Sequence, residues 1–287
     1  MVEMGEGLTF AEIERRRDRK YRRIRELRLR SEEEAARFID EVGFCLLFPH
    51  RSIELPSLWE AICGGRRRIP RHHHDYELSL AWSWKDSLPT RRRAFYGKYL
   101  KRKPTFISLK LFPYFYALSE NYGGLDDYLI EYEDGRLSYE AKCVYEALLE
   151  WGALPTSILR HKAGLSGKSN ASRFDRALVE LQAGLKIAKV GISDANRWKY
   201  CYVYDLLPRW LPDEVEQAKR ISRKEAMREM ILKYLDTVVV ATPEGISSLF
   251  GWGIRELDRA IDSLVEEGRV MADVRVEGKG GYLMLRC

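Results

Sequence analysis

The feature that most constrains this fold is a change of hydrophobic period between Ser138 and Pro212. Up to Gly184 the apolar residues recur at helical spacing, and beyond it they alternate. Val144, Tyr145, Leu148 and Leu149 stripe a helix that opens near Ser138 and closes at Gly152. Thr156 then caps a second helix with Ile158, Leu159 and Ala163, stopped by Gly164. Ser169 or Asn170 caps a third, which turns Phe174, Ala177, Leu178 and Leu181 inward and Arg173 and Arg176 outward. After Gly184, Leu185, Ile187 and Val190 alternate with polar residues, a polar loop covers 193 to 197, and Trp198, Tyr200, Tyr202 and Tyr204 alternate again. Three helices followed by a hairpin specify a winged helix, with the third helix in the recognition position. Such modules also serve protein contacts, but the outward Lys168, Arg173 and Arg176 suit a nucleic acid.

The same order recurs after Pro212. Ser222 and Glu225 cap a helix bearing Met227, Met230, Ile231, Tyr234 and Leu235; Thr242-Pro243-Glu244 opens a second; Ile254, Leu257, Ile261 and Leu264 stripe a third. Val270 to Val274 and Tyr282 to Leu285 then flank a glycine-rich turn at Gly278 to Gly281. The outer face of that third helix mixes Arg255 and Arg259 with Glu256 and Asp262, a weaker grip on DNA than the central module offers. The expected class is therefore α+β and helix-rich, with tandem winged helix-turn-helix domains. The expected parts are a basic amino-terminal helix over 1–30, a DNA-binding domain with a degenerate winged helix over 31–134, a central winged helix over 135–212 and a carboxy-terminal one over 213–287. An acidic stretch from Asp126 to Asp134 reads as the connector into the central module.

The net charge of +6 is modest, yet it is unevenly spread. Residues 11 to 30 and 65 to 103 each carry a large excess of lysine and arginine, so the remainder is acidic. A polyanion is the natural partner. Residues 9 to 30 read as one long helix with a narrow apolar stripe of Phe10, Ile13, Ile24 and Leu27. Between Trp82 and Tyr116, aromatic residues interleave with Lys85, Arg91, Arg92, Arg93, Lys101, Arg102 and Lys103, a mixture that suits phosphates and bases together. Arg66, Arg67, Arg68, Arg91, Arg92, Arg93, Lys101, Arg102, Lys103, Lys168, Arg173 and Arg176 are the expected contacts to double-stranded DNA.

Other chemistries find little support. His72-His73-His74 cannot all face one ion from a regular element, so the run reads as a solvated or phosphate-facing loop and no metal is expected. Five scattered cysteines make neither a disulfide framework nor a zinc site. No phosphate loop or other cofactor motif is present, so no cofactor is expected. No apolar run reaches the length of a membrane span and no secretory signal opens the chain, so the expected location is the cytoplasm, with the nucleoid, and no obligate protein partner is evident.

One stretch carries a family resemblance. Tyr204-Asp205-Leu206-Leu207-Pro208-Arg209-Trp210-Leu211-Pro212 resembles the segment that closes the wing in the AlkZ/YcaQ-type family of bacterial DNA glycosylases. Arg176 to Gly191 is similar to the family's preceding helix and strand, while Trp84 to Pro89 and Leu58-Trp59 match more loosely. The resemblance covers about residues 31 to 270. It implies tandem winged helices with a concave basic face, and hydrolysis of the glycosidic bond of alkylated or crosslinked bases. The family's water-activating motif is Gln-x-Gln or Gln-x-Asp in a short apolar stretch. Here that stretch is Gly43 to Phe48, and Leu46 and Phe48 stand at the two positions. Neither can hold or activate a water. Asp86, Glu54 and Glu60 are the carboxylates that could substitute, Asp86 foremost because it falls in a motif-matched segment. Two functions remain open: a divergent glycosylase for DNA repair, or a DNA-binding protein without chemistry, as a transcription regulator or a damage-recognition factor.

Overall fold

Capping side chains start helices at Thr9, Ser31, Ser57, Ser138 and Thr242, and glycines end some of them, as at Gly43 and Gly152. The computed structural model describes residues 8–71, 74–119, 121–196 and 199–286. The chain runs α1 (Phe10–Lys20), α2 (Glu32–Val42), β1 (Phe44–Leu46), α3 (Leu58–Cys63), α4 (Tyr76–Thr90), β2 (Phe95–Lys98), β3 (Pro104–Ile107), α5 (Phe112–Ala117) and α6 (Asp127–Glu133). It continues α7 (Tyr139–Trp151), β4 (Leu154–Pro155), α8 (Thr156–Lys162), α9 (Ala171–Ala183), β5 (Ile187–Ser193), β6 (Cys201–Leu206), α10 (Leu207–Trp210) and α11 (Pro212–Ala218). The last part is α12 (Arg223–Val238), β7 (Val240–Ala241), α13 (Pro243–Phe250), α14 (Ile254–Glu266), β8 (Val270–Val276) and β9 (Lys279–Leu285). The order helix, strand, helix, helix, strand, strand occurs from α2 to β3, from α7 to β6 and from α12 to β9. In the second and third of these the short first strand joins the last, giving antiparallel sheets in the order β4-β6-β5 and β7-β9-β8, as in a winged helix. Among the described residues, no helix is long and apolar enough to cross a membrane.

The chain divides into two compact units, one of residues up to Ala81 together with Arg223 onward, the other Trp82 to Ser222. In the second unit, Ser138 caps α7 by accepting from the Ala141 amide at 3.2 Å, and it donates its hydroxyl to Glu180 of α9 at 2.6 Å. One serine thus starts a helix and ties it to another. The core between α7, α8, α9 and the sheet is built from Val144, Leu148, Leu159, Phe174, Leu181 and Leu206, all buried. The acidic stretch near 127 forms α6 and not an open connector, because Tyr128 is buried against Tyr145 and donates to Glu146 at 3.1 Å. Arg209 explains the wing-closing sequence. Its guanidinium donates to the carbonyls of Leu148 and Leu149, both at 2.8 Å, so it satisfies the open end of α7, while Leu206, Leu207 and Leu211 are buried.

In the other unit, the helix expected over residues 9 to 30 ends at Lys20. Tyr21 is fully buried and donates to Glu54 at 3.1 Å, and Arg22 takes a positive φ of 59°. Burying Tyr21 and pairing Arg23 with Glu60 outweigh the helical preference of an arginine-rich stretch that has little apolar surface of its own. Ser31 caps α2 as its sequence indicates, with Arg30 and Glu34 completing the box. Phe44 stacks near Tyr234 with Phe250 edge-on, which anchors β1 in an aromatic core. Thr237 donates to the Val42 carbonyl at 2.9 Å and holds α12 to the end of α2.

Candidate nucleic-acid interface

Two elements of the second unit frame a groove of about 620 Å³. The β2–β3 hairpin contributes Lys98 and Arg102, and α9 contributes Asp175 and Arg176. Lys189, Tyr202 and Tyr204 line it from the wing strands. A buried glutamine fixes the two sides. Gln182 of α9 accepts from the Lys98 amide at 3.2 Å and donates to the Leu178 carbonyl at 2.8 Å. At Gly97 the Phe95 ring fills the side-chain position, since a Cβ there would lie 2.9 Å from it. Lys101 and Arg102 form the hairpin tip, both exposed and both at positive φ.

The expected phosphate contacts separate by their partners. Arg66 is engaged by Glu14 and Asp18, and Arg67 by Asp75 and Glu77, so these two spend their charge within their own unit. Arg68 is exposed, with no ion pair among the described residues. In the second unit Arg91, Arg92, Arg93, Lys101, Arg102 and Lys168 are exposed, and Lys103 is half-buried. Arg92 lies over the Trp210 ring at 4.4 Å. Arg173 pairs with Glu140 at 3.5 Å, and Arg176 donates to the Ser172 carbonyl. The groove and hairpin tip therefore gather Lys98, Lys101, Arg102 and Arg176, while Asp175 and Glu180 are the opposing charges. His72 and His73 lie outside the described residues; His74 is exposed, and no group of metal-binding side chains occurs among the described residues.

Beside the groove lies a cluster of lysines and tyrosines. Lys85 is 2% exposed, and its ammonium donates to Asp86 at 2.5 Å, to Tyr200 at 2.8 Å and to Tyr202. Tyr200 in turn donates to the other carboxylate oxygen of Asp86 at 2.9 Å. Asp86 is thus held from two sides. The Tyr202 ring carries a cation near it twice over, with the Lys85 nitrogen 4.6 Å and the Lys189 nitrogen 3.5 Å from its centroid. Lys189 also sits 4.6 Å from the Tyr96 ring and is 8% exposed, and among the described residues no hydrogen-bond acceptor or ion-pair partner reaches its ammonium. Burial first and the Lys85 charge second push the Lys189 amine down to about 7, with Lys98 adding and Asp86 opposing. Burial and the neighbouring Tyr202 and Asp86 hold the Tyr200 hydroxyl well above its ordinary value.

Sequence reasoning singled out Asp86 and passed over Lys189. A signal was present: Lys189 stands two residues after Ile187, so on a strand both point to one face, and Ile187 is buried. The strand then bulges at Val190, because Lys189 pairs with Tyr204 while Gly191 pairs with Val203.

The other unit holds the stretch where the resemblance puts catalysis. Phe44, Cys45, Leu46 and Leu47 are buried, and the Phe48 ring packs near Trp59. Glu54 faces Arg17 and accepts from Tyr21, and buried Glu60 accepts from Arg23 and Ser57. Both carboxylates are occupied by structural partners.

A family model described as "AlkZ related" matches residues 29–251. Among solved structures, a Streptomyces sahachiroi DNA glycosylase AlkZ is similar over 94% of this chain and 69% of its own, with a TM-score of 0.55 and 13% identity. A comparison with curated proteins returns no match.

Proposed function

Because the chain belongs to the AlkZ-related family, we propose that it binds duplex DNA and acts in the repair of alkylated or crosslinked bases. The observation that carries this reading is the groove between the hairpin and α9, where Lys98, Arg102 and Arg176 converge; of the two carboxylates that also line it, Glu180 is engaged by Ser138 and Asp175 is exposed. Arg91, Arg92, Arg93, Lys101, Lys103, Lys168 and Arg173 of the same unit extend the grip along the backbone, and Arg68 is an exposed cation of the other unit. Fluorescence anisotropy on a short duplex tests it: log affinity should fall against log salt by about 0.9 for each phosphate neutralised. Affinity indifferent to salt, or no binding in dilute salt, would refute it.

Base release would draw on Asp86. Its carboxylate, fixed by Lys85 and Tyr200, is a charge able to stabilise the cation that a departing base leaves on the sugar. Incubation with N7-alkylguanine and crosslinked duplexes, scored for free base, compares the wild type with Asp86→Asn. Release lost in the variant while affinity persists supports this role, and equal release from both refutes it. A second reading, a damage-recognition factor or transcription regulator without chemistry, is favoured by the apolar Leu46 and Phe48 and by the engaged Glu54 and Glu60. Tight binding with no release from any alkylated substrate decides for it.

A further inference from the structure

We propose that Lys189 is a nucleophilic amine that forms an imine with the aldehyde of an abasic site, giving the protein a strand-cleaving activity on base-free deoxyribose. The inference rests on the DNA-binding reading above and extends it to a substrate that has already lost its base. Three observations carry it. Lys189 lines the groove with the phosphate-directed cations Lys98, Arg102 and Arg176. The residue is 8% exposed, its ammonium lies against the rings of Tyr202 and Tyr96, and among the described residues it has no acceptor or ion-pair partner. A second lysine, Lys85, lies 4.6 Å from the same Tyr202 ring and claims Asp86 and the Tyr200 and Tyr202 hydroxyls. A buried amine beside another cation is the arrangement that releases a lysine's lone pair near neutral pH. The lowered affinity of Lys189 for its proton agrees with that geometry.

The chemistry closes without a cofactor. The neutral amine adds to C1′ of the ring-opened sugar, and water leaves from the resulting carbinolamine to give the protonated imine. The imine draws electrons from the C2′–H bond, whose proton passes to water or to Asp175, the groove's exposed carboxylate. The C3′–O bond then breaks and its electrons leave with the phosphate. Water hydrolyses the unsaturated imine, restoring Lys189 and leaving an unsaturated aldehyde on one fragment and a 5′-phosphate on the other. The reaction that supplies this substrate is base removal, by this protein or another.

The test uses the full chain and a fluorescent duplex with a single abasic site. Borohydride reduces the imine to a stable secondary amine, so a covalent protein–DNA band should form with the wild type and disappear with Lys189→Arg, while Lys219→Arg, at a lysine paired with Glu216 away from the groove, keeps it. Circular dichroism and anisotropy on the intact duplex confirm that Lys189→Arg folds and binds. Trapping retained in Lys189→Arg, or absent in the wild type despite tight duplex binding, overturns the proposal and leaves the DNA reading standing. Should no duplex bind, a second arm remains: 2-deoxyribose 5-phosphate with borohydride, mapped by mass spectrometry. At pH 7.4 Lys189 should be modified at least roughly tenfold faster than the exposed Lys168, because its amine is released from its proton far more readily than that of an ordinary lysine. Labelling of Lys189 no faster than Lys168 overturns the proposal independently of DNA.

Discussion

Replacing Lys189 by methionine should stabilise the protein near neutral pH and do so less in alkali. The side chain keeps its length and sets a thioether against the Tyr96 and Tyr202 rings, a contact methionine makes well. What it removes is a charge confined where water is excluded. The folded amine is pushed from the ordinary 10.5 to about 7, so the unfolded chain binds the proton more tightly than the folded one. The folded state therefore carries the full penalty below about pH 7, and the penalty is relieved as pH rises from there toward the unfolded value. A shift of this size corresponds to about 5 kcal/mol at most. Between pH 6 and pH 9.5 the linkage relation leaves about 3 kcal/mol of it to be lost. Urea unfolding followed by circular dichroism, run on both proteins at both values, measures the difference directly. The advantage of the methionine variant should be large at pH 6 and shrink by about 3 kcal/mol at pH 9.5. An advantage independent of pH would show that Lys189 is not held against its charge, and would remove the electrostatic argument for its reactivity.

Further outcomes follow from other contacts. Ser138→Ala deletes the cap on Ala141 and strands Glu180, and should cost about 1–2 kcal/mol in a urea titration. Arg23→Met leaves Glu60 buried without its cation and should cost about 3 kcal/mol or more, whereas a loss below about 1 kcal/mol would mean the carboxylate finds water. Arg102→Gln and Arg176→Gln should each reduce the salt slope of duplex binding by about 0.9, while Arg66→Gln, whose charge Glu14 and Asp18 already engage, should leave it unchanged.

Much of the fold was legible because its signals are local. Ser31 and Ser138 cap the helices their positions announce, Gly152 ends α7, and Tyr200, Tyr202 and Tyr204 alternate along the wing's return. Where a boundary depends on distant partners, the pattern misleads. The arginine-rich stretch after Lys20 looks helical, but Tyr21 and Arg23 are claimed by Glu54 and Glu60, more than thirty residues on. The same holds at the site. Charge runs point to the hairpin tip and α9, yet nothing in the run around Arg66 and Arg67 shows that carboxylates of α1 and the segment near Asp75 already engage them. Lys189 is hidden for the opposite reason: one lysine in an alternating strand looks solvated until the Tyr96 and Tyr202 rings are seen to enclose it.

Gln182 has a consequence for discrimination. By accepting from the Lys98 amide while donating to the Leu178 carbonyl, it rivets the hairpin with Lys101 and Arg102 to the helix with Arg173 and Arg176. Two sets of cations joined by a buried rivet form a ruler of fixed length. A duplex laid across them is measured by the spacing of its phosphates, and a lesion that kinks or narrows the helix changes that spacing without any base being touched. Damage would then be sensed as a misfit of the sugar-phosphate chain against a rigid gauge.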